Sequence, residues 1–180
     1  ITGGSGFLGS HLADYLVELG HEVFIYDKNK SKYLNSSQKM IVGTFDDINK
    51  LKKLLKNIDI IYHFAASSEL DLSAKEPIKI LENNLLGTAR LLEAVKNSKN
   101  VEHFIFASTV YVSSDKGSIY RVSKHACEML IEEYHKSFNI NYTILRFGTI
   151  FGTRATGDNS VRRSLKQAYE DKKIMVQGDG

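Results

Sequence analysis

The sequence predicts a doubly wound α/β domain, a parallel sheet with helices on both faces. Three observations carry this. Short apolar runs alternate with stretches of helical spacing along the chain. The runs lack polar alternation, as strands covered on both faces do. Four glycines, Gly3, Gly4, Gly6 and Gly9, stand directly before the first helical stretch, where a strand feeds a helix.

In "ITGGSGFLGSHLADYLVELG", Phe7, Leu8, His11, Leu12, Tyr15, Leu16 and Leu19 recur at three- and four-residue spacing, and Gly20 supplies the stop. "EVFIYD" follows as a strand ending in Asp27, "KMIVG" as a second strand, residues 46–56 as a helix, and "IDIIYHFAA" as a buried strand running into small residues. A long helix is predicted from Pro77 to Lys99, with the chain's only proline in its first turn. The strand "EHFIFAS", a helix from Ser118 to Phe138 and the strand "NYTILRFG" complete the alternation. From Phe151 the character changes to a polar loop, "GTRATGDNS", the helix "VRRSLKQAYEDK" and a short strand "KIMVQ" before "GDG". The expected division is one domain over 1–150 and the beginning of a smaller one over 151–180. No internal repeat or low-complexity tract interrupts it.

At 180 residues, 42% hydrophobic and 25% charged, the chain has the composition of a soluble globular protein. No apolar run approaches the length of a bilayer span, so membrane insertion is set aside. The net charge of +3 and pI near 8.8 come from scattered lysines, and no nucleic-acid partner is expected. The single cysteine, Cys127, excludes an internal disulfide framework, fits a reducing, cytoplasmic location, and reads as a helix packing residue. Ile1 and Thr2 are too short for a strand feeding the glycine turn, so strand residues are expected to precede Ile1 in the natural protein.

The glycines match the dinucleotide pattern in its proper context of strand before, amphipathic helix after and acidic residue at the next strand's end. Gly3 allows the tight turn, Gly6 the close approach of a pyrophosphate, and Gly9 close packing of helix on sheet. Phe7 and Leu8 open the helix, whose unpaired N–H groups and positive dipole end face the phosphates. Asp27, eighteen residues beyond Gly9, is placed to accept hydrogen bonds from an adenosine ribose, which favours NAD.

In "SIYRVSKHACEML", Tyr120 and Lys124 are four apart on one helix face. A tyrosine with its pKa near 10 is a poor base, but an adjacent ammonium and a cationic nicotinamide favour its phenolate. Ser108, ending "FIFAS", is placed to hydrogen-bond the hydroxyl that Tyr120 deprotonates. His11 and His63 read as satisfied interior or rim residues, Arg162 and Arg163 as a solvated helix face, and no cluster has metal spacing.

"TGGSGFLGSHL", "HFAA", "NLLGT", "FAST", "YRVSK" and "LRFGTIFG", in this order, resemble the extended short-chain dehydrogenase/reductases, in particular the NAD-dependent sugar-nucleotide epimerase/dehydratase family. The resemblance covers essentially the whole chain. It implies a Rossmann domain, bound NAD, Tyr120 as catalytic base, Lys124 on the nicotinamide ribose, and Ser108 on the reacting oxygen. Thr109 is the alternative to Ser108 in a second alignment of "ASTVYVS". Ala65 and Ala66 would line the nicotinamide side of the cleft, and Asn84 is similar to a structural and substrate-side asparagine. Family members commonly pair through two long helices, so a homodimer is expected.

The departures from the pattern are informative. Gly43-Thr44-Phe45 replaces Gly-Asp-hydrophobic at the adenine edge, leaving the Phe45 backbone or Asp46 to serve there. Thr149 stands where many members have an asparagine contacting the sugar nucleotide. The segment between Ser108 and Tyr120 is shorter than in many relatives, which opens the pocket. Thr109-Val110 replaces the Asp-Glu pair of the dehydratases, which disfavours 4,6-dehydration. Family members run well beyond this length, so the chain looks like a fragment. The expected function is NAD-dependent epimerisation of a nucleotide sugar at C4. The alternatives are a reductase or dehydratase of a related nucleotide sugar, or a non-catalytic NAD-binding module.

Overall fold

A computed structural model describes residues 1–68, 75–155 and 160–174. It divides into two units, Ile1–Arg146 and Phe147–Gly180. The first contains helix α1 (Phe7–Glu18), strands β1 (Val23–Asp27) and β2 (Gln38–Val42), helix α2 (Ile48–Leu54), strand β3 (Ile60–His63), helices α3 (Pro77–Leu81) and α4 (Gly87–Val95), strand β4 (His103–Thr109) and helix α5 (Ser118–Phe138). Strand β5 (Tyr142–Phe147) crosses the boundary, and α6 (Ser160–Glu170) belongs to the second unit. The expected strand over 173–177 falls largely outside the described residues.

Strand β1 pairs with β2 and β3 with β4, both in parallel, and β5 lies next to β4. Thr2 joins the two sets by parallel bridges to Tyr26 and His63. Its N–H donates to Tyr62 and its carbonyl accepts from Phe64, at 2.9 and 3.1 Å, while Gly3 N–H reaches Tyr26 at 3.0 Å. The order is therefore β2, β1, the Thr2 segment, β3, β4, β5. The chain leaves Thr2 toward β1 on one side and later returns to β3 on the other, so the winding reverses at Thr2. In such sheets ligands bind at the strands' carboxyl ends beside that reversal.

Adjacent residues of β1 serve opposite faces, as the strand period requires. Ile25 packs with Ala13 and Val23, and Tyr26 with Leu51, Leu91, Phe104, Phe106 and Ile131. Fully burying Phe104 and Phe106 contributes about 1.5–3 kcal/mol each.

Helix ends follow local chemistry. Asp47 caps α2 by accepting the Lys50 N–H at 2.9 Å, a contact worth about 1 kcal/mol. Pro77 opens α3. Gly117 and Asn139, both left-handed, bracket α5. The long helix expected over 77–99 is interrupted. Residues Glu82–Leu86 form a π turn between α3 and α4, and the helix ends at Val95. The Thr88 hydroxyl bonds the Asn84 carbonyl at 2.6 Å, a side-chain bond competing with the regular backbone ladder.

Candidate active site

Gly3, Gly6 and Gly9 of the first turn have different surroundings. Gly3 has φ +70°, and a Cβ there would lie 2.6 Å from the Ala65 nitrogen. A Cβ on Gly9 would lie 2.4 Å from the Gly3 carbonyl oxygen, so no side chain fits between helix and turn. Gly6 is unlike both. A Cβ there would meet only that same oxygen, at 3.3 Å, with open space beyond.

Gly6 also caps α1 without a side-chain hydrogen bond, and the first turn holds no acidic residue. The N–H groups of Phe7, Leu8 and Gly9 thus precede the first helical bond, which runs from Ser10 to Gly6. Open space before an uncapped helix start fits a diphosphate. Asp27 holds the turn from β1. Its carboxylate accepts the Ser5 N–H at 3.1 Å and the Asn29 N–H at 3.0 Å, and it retains lone pairs for ribose hydroxyls.

Of the residues expected at the adenine edge, Phe45 packs its ring edge-on against His63 at 5.4 Å and over Gly87, where a Cβ would be 3.1 Å away. Asp46, the alternative to the Phe45 backbone, is tied to Arg90 at 2.7 Å and to the Thr44 hydroxyl at 3.0 Å. Ala65 donates its N–H to the Thr2 hydroxyl at 3.3 Å, and Ala66 is exposed beside it.

Tyr120 and Lys124 occupy successive turns of α5, on one face. Lys124 is 2% exposed. Its ammonium lies 4.2 Å from the centre of the Phe106 ring, and burial pulls it down to about 8. For Tyr120, burial, reinforced by Tyr111 and Cys127, pushes the phenol up to about 12. The ammonium and cationic nicotinamide expected beside it act in the opposite direction.

The strand end separates Ser108 from Thr109. Thr109 Oγ1 accepts the Tyr111 N–H at 3.3 Å and caps the turn after β4. Ser108 Oγ, equally buried, makes no hydrogen bond of normal geometry, though it stands close enough to Glu128 to help keep that carboxyl ionised. Of the two hydroxyls, that of Ser108 is the freer to meet a reacting oxygen.

Asn84 turns inward and is 2% exposed. Its Oδ1 accepts the Ser67 N–H at 2.7 Å, and its Nδ2 donates to the Ser67 carbonyl and the Ser123 hydroxyl at 3.1 and 3.0 Å. Both amide hydrogens are used, so the structural half of its expected role is the one with atoms to act through. Thr149 is exposed in the second unit, just past β5. Among the described residues no group of three or more metal-type ligands converges, and no helix is long and apolar enough to cross a membrane.

Sequence reasoning passed over Glu128 and Arg146. Glu128 stands one turn beyond Lys124, its side chain 3% exposed, and binds Arg146 through two bonds of 2.7 and 3.1 Å. Burial pushes the Glu128 carboxyl up, but the bonds from Arg146, aided by the nearby Ser108 hydroxyl, outweigh it and hold the group below its usual value. Arg146 also donates to Ser113 at 3.3 Å, joining β5, α5 and the turn after β4. A signal was present: an arginine as the one charged residue of β5, and a glutamate at helical spacing from Lys124.

A family model described as "NAD dependent epimerase/dehydratase family" matches residues 1–180. The chain is 32% identical over 217 residues to dTDP-D-glucose 4,6-dehydratase of Dictyostelium discoideum, covering 100% of this chain and 50% of that protein. Among solved structures it is similar to UDP-glucuronic acid 4-epimerase from Bacillus cereus in complex with UDP-glucuronic acid and NAD, with TM-score 0.85, 33% identity, and 99% of this chain against 65% of that one. UDP-N-acetylglucosamine 4-epimerase from Methanobrevibacter ruminantium gives TM-score 0.87 at 28% identity, with 99% and 64% covered. The chain thus spans half to about two thirds of the length of these relatives.

Proposed function

The chain belongs to the NAD-dependent epimerase/dehydratase family, and on that premise we propose that it acts as a sugar-nucleotide 4-epimerase. The observation that carries this reading is the pairing of an uncapped α1 start, open before Gly6, with Tyr120, Lys124 and Ser108 around the end of β4. Similarity to two 4-epimerase structures supports the substrate class, a nucleoside diphosphate sugar.

The helix start and Asp27 would hold NAD, with Ala65 and Ala66 on its nicotinamide side. Bound NAD supplies a positive charge and a place for hydride to leave and return. Ser108 hydrogen-bonds the C4 oxygen, and Tyr120 takes the hydroxyl proton at its phenolic oxygen. Lys124 supplies a second positive charge that favours the phenolate. The 4-keto sugar then turns, and Tyr120 returns the proton as the opposite face is reduced. No net reductant is consumed.

The dehydratase among the relatives makes loss of the C6 hydroxyl the rival reading. Thr109 and Val110 weigh against it. The Thr109 hydroxyl already caps a turn, and the half-exposed Val110 has no proton to give or take.

A homodimer and a cytoplasmic location belong to the same proposal. On α5, Val122 and Met129 stand seven apart, exposed, as one apolar stripe suited to a helix pair. Sedimentation of the full-length protein should give twice the monomer mass, and Met129→Glu should return it to monomer. Two glycine substitutions should separate binding from folding. Gly6→Val fills the open space before α1 and should weaken NAD at least about tenfold with the melting temperature held. Gly9→Ala meets backbone and should destabilise by about 1–3 kcal/mol. Titration calorimetry and thermal melts read the two effects.

A further inference from the structure

His63 ends β3 and is buried against the rings of Phe45, Phe104 and Phe106, 5.4 to 5.7 Å away. Its Nδ1 lies 2.6 Å from Thr2 Oγ1, and its Nε2 lies 2.9 Å from Thr88 Oγ1. The direction of each bond follows from hydrogen counting. Thr88 has one hydroxyl hydrogen and gives it to the Asn84 carbonyl, which only accepts. Thr88 Oγ1 must then accept from His63, so Nε2 carries the ring hydrogen. Nδ1 is bare, and the Thr2 hydroxyl donates to it while accepting the Ala65 N–H.

The line continues at both ends. At one end Thr2 adjoins the glycine turn. At the other, Asn84 brackets Ser67 and reaches Ser123, whose hydroxyl donates to the Tyr120 carbonyl at 2.7 Å. Segment 65–67 is therefore stitched at Ala65 to the glycine turn and at Ser67 to the helix that carries Tyr120.

We propose that His63, fixed as the neutral Nε2–H tautomer, is a positioning residue that holds segment 65–67 in register between the NAD turn and the Tyr120 helix, and leaves the buried positive charge of the site to Lys124. The role rests on the NAD-dependent reading above; the tautomer does not. Protonation would place a hydrogen on Nδ1 facing the Thr2 hydroxyl and set a second cation beside Lys124. The groups facing the ring agree. Burial first, then Lys124 on α5, hold His63 well below its ordinary value. On the Thr88 side stands the Cys127 thiol, 3.5 Å from that hydroxyl.

Nitrogen NMR of histidine-labelled full-length protein tests the tautomer without turnover. A protonated Nε2 and a bare Nδ1, unchanged from about pH 5 to about pH 8, is the expected result. A hydrogen on Nδ1, or titration in that range, overturns the proposal. For the role, His63→Leu should weaken NAD about tenfold, and His63→Gln, which keeps a donor for Thr88, should recover most of that loss. His63→Leu binding NAD as tightly as the parent would overturn it, and so would a His63→Gln no better than His63→Leu. Absence of any epimer with these results intact would count against the proposed reaction and not against His63.

Discussion

Replacing Tyr120 by phenylalanine should lower the turnover of a nucleotide sugar by about a thousandfold, in the middle of the range for a general acid–base residue, while NAD affinity changes little. The substitution removes one oxygen from a half-buried ring at the third residue of α5. Burial already holds that phenol near 12, so the hydroxyl lost is one that the folded chain keeps protonated until positive charge is added. A thermal melt of the variant checks that folding survives the change. Single-turnover NMR, with NAD binding followed by fluorescence quenching, separates the two effects. Equal loss of NAD affinity and turnover would mean that Tyr120 serves binding and not proton transfer.

A pH-dependent loss of stability should come from Arg146→Ala. Arg146 is half exposed, but its partner Glu128 is 3% exposed. Removing the guanidinium leaves the carboxylate with water as its partner, so the melting temperature should fall, by less than for a fully buried pair. The sign with pH is fixed by Glu128. Its folded pKa is depressed, so the pair's contribution is present above the ordinary carboxylate range and is lost as pH falls through the folded value. The difference between parent and Arg146→Ala should thus shrink in acid. Adding Glu128→Leu should recover much of the loss at neutral pH, because a buried apolar residue no longer needs the partner. Thermal melts of the three variants at two pH values decide it. An Arg146→Ala protein as stable as the parent would show the pair to be dispensable.

Local signals carried much of the fold. Pro77 at a helix start, and Gly117 and Asn139 at the two ends of α5, are positions where one residue's backbone preference sets a boundary. Thr2 was legible as the end of a strand feeding the glycine turn, but its place between β1 and β3 is visible only in the bridges to Tyr26 and His63 on either side. The π turn was not legible, because the four-residue spacing of Asn84 and Thr88 suits a regular helix equally well. The compositional change at Phe151 comes after the structural division at Phe147, because Ile150 and Phe151 still interrupt the polar loop that follows β5.

For the site, the glycines, Asp27, Tyr120, Lys124 and Ser108 could be named in sequence because their roles depend on short spacings. The inward turn of Asn84, the Lys124 ammonium over Phe106 and the Glu128–Arg146 pair depend on residues far apart in the chain. No local pattern encodes those contacts.

The central claim is inversion at C4 by hydride removal and return. The direct measurement is proton NMR of a nucleoside diphosphate sugar incubated in deuterated buffer with NAD and the full-length protein. The account predicts a C4 epimer that keeps protium at C4, without accumulation of NADH, and that is absent with Tyr120→Phe. A 4-keto-6-deoxy product, or an unchanged sugar while NAD binds, would contradict it.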